Sequence, residues 1–385
     1  MEDVDVTYDY RPSSKPAIEL KCHLYDNQLN NRFVQSLDYS RFSQERIAAG
    51  YDHDPSSPLL PPGIIALWNL NCETVPENIL HAPSRLTSMI LDSQEPNVIF
   101  GGCYSGQICL WDVRINQRNP VCKTKSYKSN KNMHVQPICF MMQDPLNNME
   151  LVTLSRDGLM CSWSIDSGFR VPLQSIQLTY NPNTEASSTV NDRMLQAISM
   201  SVCPSTPSKM VVGSENSIYI GDRHSNGEMD RHFYAHDLPI SAVHVSEILN
   251  SSGLTSICLS SSFDFTVKLW NLNKENSSEP LRTFHHKHFV VDVKWSPSQA
   301  EVFSSACADG TLNLWNLKLN ENEPVSVIAM DNALAKMMWT RTGNQICVGD
   351  INGSVRIYDV QNSLCCYAPF HFGSDDLAST LFNAM

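Results

Sequence analysis

Five of the seven tryptophans in this 385-residue chain close the same short phrase. It reads ALWNL at Trp68, CLWDV at Trp111, CSWSI at Trp163, KLWNL at Trp270 and NLWNL at Trp315, and a sixth copy, RIYDV, carries Tyr358 in the tryptophan slot. The other two tryptophans end a second phrase, VKWSP at Trp295 and MMWTR at Trp339, with LDYS at Tyr39 as its tyrosine variant. Every tryptophan therefore belongs to a repeat. A chain written this way folds as an array of like units, each burying its apolar face against its neighbour, and arrays of this kind generally act through contacts.

Three strands are readable in each unit. Unit five is the clearest: His236, then PISAVHV (239–245), SICLSSS (256–262), Asp264 in a turn, and TVKLWN (266–271). Short runs with period-two alternation, bounded by turn residues, are the strand signal. The units end at Trp68, Trp111, Trp163, Gly221, Trp270, Trp315 and Tyr358, at intervals of 43, 52, 58, 49, 45 and 43 residues. Unit four has Gly221 in the tryptophan slot, yet its VVGS, its turn and its alternation at Ile218 and Ile220 are intact. Unit one is interrupted by YDHDPSSPLLPPG (51–63), where paired prolines before a glycine mark an extended loop. The longest insertion, 170–194, loses all periodicity in its Asn/Ser/Thr-rich later half and is expected to be a loop.

A base period in the low forties with this tryptophan phrase resembles the WD repeat, which supplies four strands per propeller blade. The resemblance implies an all-β, seven-bladed WD40 β-propeller over residues 18–372, with flexible ends at 1–17 and 373–385. Ring closure removes the unpaired sheet edges of an open array. The closing strand is expected from Ile18–Leu24, with Leu364–Tyr367 as the alternative.

A net charge of −12 argues against binding a phosphate backbone, and Lys123–Lys131, the densest basic stretch, reads as a solvated loop. The start, MEDVDVTYDY, is neither a signal nor a transit peptide, and no apolar run reaches the length of a membrane span. The thirteen cysteines are odd in number, and Cys109, Cys161, Cys258, Cys307 and Cys347 stand where other units carry small hydrophobes. They read as buried thiols in a reducing compartment, the cytosol.

His236, Asp264 and Trp270 form the best-defined polar set. The WD resemblance implies that they tie strands together through Ser260 or Ser262, with Asp157 and Asp309 in the same turn position of units three and six. A hydrolase would need a nucleophile motif such as GxSxG, which is missing. His285-His286-Lys287-His288 has no acidic or cysteine partner at metal-ligand spacing, and His288 is taken as the counterpart of His236. There is no P-loop and no CxxC. No catalytic site, metal or cofactor is expected, and a propeller enzyme is disfavoured because the repeats offer mostly small and apolar residues to the central channel.

Several phrases go beyond the generic repeat: GGCYSGQICLWDVR (101–114), SRDGLMCSWSID (155–166), VVGSENSIYIGDRH (211–224), SSSFDFTVKLWN (260–271), VVDVKWSP (290–297) and ALAKMMWTRTGNQICVGDINGSVRIYDV (333–360). Together, over about residues 34–360, they resemble the C-terminal WD domain of the cytoplasmic dynein intermediate-chain family. The resemblance implies a non-catalytic motor subunit at cytoplasmic microtubules whose propeller docks on the dynein heavy-chain tail. In the family, light chains and dynactin bind an arm before the propeller. The 33 residues preceding Val34 hold no heptad and no long charged helix, so the family's light-chain and dynactin contacts are not carried over to this chain. The residue before each turn Asp or its equivalent is expected on one face: Tyr104, Arg156, Phe263, Ala308 and Ile351, with Tyr104 and Arg156 the strongest anchors. The alternative is a WD adaptor of another complex, such as a ubiquitin-ligase substrate receptor, although no helical adaptor motif is visible.

Overall fold

The computed structural model describes residues 18–43, 45–55, 60–72, 75–125, 133–180, 193–250, 253–273, 279–320 and 322–361. Seven four-stranded antiparallel sheets follow one another as the blades of a propeller. The inner strands are Val34–Tyr39, Leu86–Leu91, Ile138–Gln143, Ser199–Val202, Ile240–Asn250, Val290–Trp295 and Leu334–Trp339. Helix among the described residues is limited to one 3-10 turn, Val113–Ile115.

The tryptophan phrase is the third strand of its blade. Trp68, Trp111, Trp163, Trp270 and Trp315 are all buried, as is Tyr358. Each residue of this slot faces the second residue of the regular second strand, as in Trp68 against Ile47 and Trp315 against Phe303. The large rings fill the gap between neighbouring sheets. Trp68, for example, shares a cluster with Val34 and Tyr51 of its own blade and with Cys347 and Val355 of the seventh. Gly221 occupies the slot in blade four, and the Met229 side chain fills the space beside it.

The ring closes through Ile18–Leu24, which pairs antiparallel with Val355–Val360 as the outer strand of blade seven. Leu364–Tyr367 lies outside the described residues, as do the ends 1–17 and 373–385. In six blades the inner strand carries a bulge after its first residue, as between Val290 and Asp292. Blade four, which lacks the tryptophan, pairs without one.

Inner-strand side chains stitch neighbouring blades together at several seams. Asp38 accepts the Leu91 N–H at 2.6 Å, Ser201 the Val245 N–H at 3.0 Å and His244 Nδ1 the Trp295 N–H at 3.3 Å. Two residues earlier in the strand, Ser199 accepts from Val243 at 3.0 Å and Asp292 from Met337 at 3.2 Å. These bonds lie along the free edge of the inner strands, and they pair N–H groups of buried residues that would otherwise go unsatisfied.

Two expectations need correction. The insertion 170–194 is not loop throughout: Gln174–Gln177 is the outer strand of blade three, and Thr179–Tyr180 pairs with Arg193–Met194. None of the four residues of Gln174–Gln177 is buried, so the strand requires no apolar alternation and the composition of the segment masked it. Its stretch 181–192 lies outside the described residues. The first hairpin of blade five is also longer than the sequence showed, with strands Ile240–Asn250 and Gly253–Ser262. Glu247 on this extension accepts hydrogen bonds from the Ser205 N–H and hydroxyl of blade four.

Candidate protein-docking site

Three blades carry a polar relay that starts at the tryptophan. In blade five the Trp270 indole N–H donates to Ser260 Oγ at 2.9 Å, and the Ser260 hydroxyl meets His236 Nε2 at 2.7 Å. His236 Nδ1–H then donates to Asp264 at 2.8 Å. Ser262 bonds instead to the Leu238 and Pro239 carbonyls. Burial would raise the Asp264 carboxyl, but hydrogen bonds from His236 and Thr266 outweigh it and hold the pKa at about 2. The geometry imitates a hydrolytic triad, yet Ser260 and His236 are fully buried, so no substrate reaches the hydroxyl.

Blade three runs the same relay one step longer. Trp163 donates to Thr153 at 2.9 Å, Thr153 meets His134 Nε2 at 2.7 Å and His134 Nδ1 meets Ser155 Oγ at 2.8 Å, with Ser155 donating to Asp157. In blade six Trp315 donates to Ser305 at 3.1 Å, and His286 Nε2 receives Ser305 at 2.8 Å while its Nδ1 turns to the Phe284 carbonyl. Asp309 takes no part in this relay. It is exposed and accepts from the Thr311 N–H and hydroxyl. Burial lowers both His134 and His286 to a pKa of about 4, so both are neutral at physiological pH.

His286, not His288, is the counterpart of His236. Each linking histidine stands four residues before its inner strand: His134 before Ile138, His236 before Ile240, His286 before Val290. The run of three histidines hid this count, and His134 escaped notice because no neighbouring phrase marks it.

The five residues expected on one face do share one rim. The backbone N–H groups of Tyr104, Arg156, Phe263, Ala308 and Ile351 donate to the carbonyls of Arg85, Pro137, Pro239, Phe289 and Ala333, each just before the inner strand of the same blade. Tyr104, Arg156, Phe263 and Ile351 are exposed, and Ala308 is half-buried. Arg85 lies 5.3 Å over the Tyr104 ring while its guanidinium grips Asp52 at 2.8 and 2.5 Å.

Between blades five and six the rim carries a cluster of four rings. Phe263 meets Phe289 edge-on at 5.4 Å, His288 lies 4.5 Å from Phe289, and Phe265 lies 6.0 Å from His288. Phe265 has φ +66°, in the turn position where Gly106, Gly158, Gly310 and Gly353 stand in other blades. A bulky residue there is strained, at a cost on the order of 1–3 kcal/mol. Phe265 is also 47% exposed, so the fold gains little from holding it. Strain kept at an exposed aromatic side chain is a mark of a functional surface.

The central channel opens on this rim and encloses about 700 Å³. It is more polar than expected: Lys294 and Lys336 reach it together with the buried Asp292, and Lys336 Nζ lies 3.3 Å from Asp292. Inner strands meet the channel edge-on, so long side chains reach it from between the blades, which alternation alone does not reveal. Among the described residues there is no cluster of three or more metal-ligating side chains, and no helix is long and apolar enough to cross a membrane.

Comparison with known proteins agrees with the resemblance. The model of the dynein axonemal intermediate chain 3 WD40 domain matches residues 45–212, and the WD domain, G-beta repeat model matches 227–271 and 278–316. The cytoplasmic dynein 1 intermediate chain of Drosophila melanogaster is 30% identical over 381 residues, covering 94% of this chain and 55% of that protein. The chain is a WD-repeat propeller similar to the dynein intermediate chains. It spans about half the length of the curated relative it matches. In this propeller, the blade without tryptophan and the FDFT turn that carried the resemblance are also structural exceptions: one has Met229 in place of a ring, the other a phenylalanine in place of glycine.

Proposed function

We propose that this propeller is a non-catalytic subunit of a cytoplasmic dynein motor, that it docks on the heavy-chain tail, and that it supports assembly and cargo attachment in microtubule-based transport. The observation behind the docking surface is the ring cluster around the strained Phe265. Rigid aromatic anchors with polar neighbours are the residues that dominate protein interfaces. Phe263 and Phe265 form one anchor, and Tyr104 with Arg85 and Arg156 forms a second across the rim.

The test is a pull-down of heavy-chain tail with two variants. Phe265→Gly with Phe263→Ala removes the first anchor and also relieves the backbone strain, so stability is retained while binding falls. Tyr104→Ala with Arg156→Glu removes the second. Unchanged capture by both folded variants would move the interface to the opposite face or to the blade edges. A second reading, an axonemal dynein subunit, is favoured by the family model over residues 45–212. Mass spectrometry of co-purifying heavy chains separates the two, and absence of any dynein heavy chain under gentle conditions would sink both.

A further inference from the structure

On the face opposite the ring cluster, the seam between blades one and seven holds a pocket of about 360 Å³. Three cations line it: Lys21 from the closing strand, Arg41 from blade one and Arg341 from blade seven. The two arginines are the same repeat position, each following a buried hydroxyl residue, Ser40 and Thr340, at the turn out of the inner strand. Blade six has Pro297 there. Ring closure makes residues 41 and 341 neighbours although they are at opposite ends of the array.

Lys21 arrives by a separate device. The closing ladder pairs Leu20 with Tyr358 and Cys22 with Ile357, leaving Lys21 as the extra residue of a β-bulge. A bulge re-aims one side chain, and here that side chain is the one lining the pocket. The pocket's carboxylate, Glu45, is engaged by Asn71 Nδ2 at 2.5 Å. Among the described residues no ion pair joins any of the three cations to a carboxylate. The formal lining charge is therefore about +2, in a chain whose net charge is −12.

We infer that this seam pocket binds a phosphate group. Two guanidinium forks and an ammonium lining one pocket match a tetrahedral dianion in charge and in donor number. The site is independent of the docking rim, so its failure leaves the docking proposal untouched.

Calorimetric titration at low salt with inorganic phosphate, a phosphoserine hexapeptide and the unphosphorylated hexapeptide tests it. Saturable phosphate binding is expected, weakened about tenfold or more in Arg41→Gln/Arg341→Gln and by less in Lys21→Gln. All three side chains are exposed, so an unchanged melting midpoint should accompany the loss. Tighter binding of the phosphopeptide than of the free ion assigns the phosphate to a peptide, and equal affinity assigns it to the free ion. The inference is overturned if phosphate gives no saturable binding, or if the folded double variant or the folded Lys21→Gln variant binds it as the native chain does.

Discussion

The sulfur of Met229 stands 2.7 Å from the point that a Cβ on Gly221 would occupy. In the other blades an aromatic ring bridges to the next sheet from this slot. Blade four makes the same contact from its outer strand, and Met229 joins Met200, Met210 and Val212 in one buried cluster. Methionine suits the task because an unbranched, flexible side chain adapts to an irregular gap.

Gly221→Ala is therefore expected to destabilise the propeller by about 1–3 kcal/mol through overpacking. Adding Met229→Ala should recover part of that loss, a coupling that a denaturant double-mutant cycle would read directly. Purely additive losses would show that the backbone, not Met229, sets the space.

The relays make each tryptophan more than a hydrophobic plug. Trp270→Ala should cost about 3–5 kcal/mol as a buried large-to-small change. Thr153→Val, nearly the same size, should cost about 1–3 kcal/mol because it leaves the Trp163 N–H and His134 Nε2 unpaired. Equilibrium unfolding measures both, and a neutral Thr153→Val would mean that the blade-three relay carries no energy.

Acid should act on the linking histidines first. His134 and His286 have folded pKa values near 4, below the ordinary 6.5, so their contribution is complete above about pH 6.5 and is lost as pH falls toward 4. Melting temperatures of His134→Asn and His286→Asn should depend less on pH in that window than those of the native chain. Asp264, held near 2, adds a further loss only below about pH 3.8.

Asp38 should act in the opposite direction. Burial pushes its carboxyl up to about 6, against the hydrogen bonds from Leu91 and Tyr39 and the charge of Arg41. The folded state then holds a proton that the unfolded chain has released, so this residue lowers stability as pH rises from about 4 to 6. Asp38→Asn keeps one acceptor and should remove that slope, as pH-dependent chemical denaturation would reveal.

Thr179–Tyr180 pairs with Arg193–Met194, so the two sides of the 181–192 stretch are already held together. Replacing that stretch by Asn-Gly should leave folding intact, since the pair then becomes a two-residue hairpin. Loss of soluble, protease-resistant protein would show that the stretch contributes to the core.

How much of this was legible in the sequence follows from what kind of contact each feature makes. Third strands were readable because a buried tryptophan imposes a fixed phrase. Seven units could be counted even where Gly221 broke the phrase, because the flanking alternation survived. Outer strands such as Gln174–Gln177 were obscure because a short, half-exposed strand demands little of its residues. His134 and His286 needed a strand start to count from, and a run of histidines offers no such reference. The nearness of Arg41 to Arg341, and the turn of Phe265, exist only once the ring has closed and the backbone has its angles.

Ile18 and Val360 are register partners, so the chain enters and leaves the ring at one point. Tension applied between these two residues would not be shared among seven blades. It would peel a single ladder from its end, one pair of hydrogen bonds at a time, beginning at Ile18 and reaching the bulge at Lys21 after three residues. The strand that makes the circle is thus also its mechanical weak point, and whatever occupies the pocket beside Lys21 would act as a pin across it.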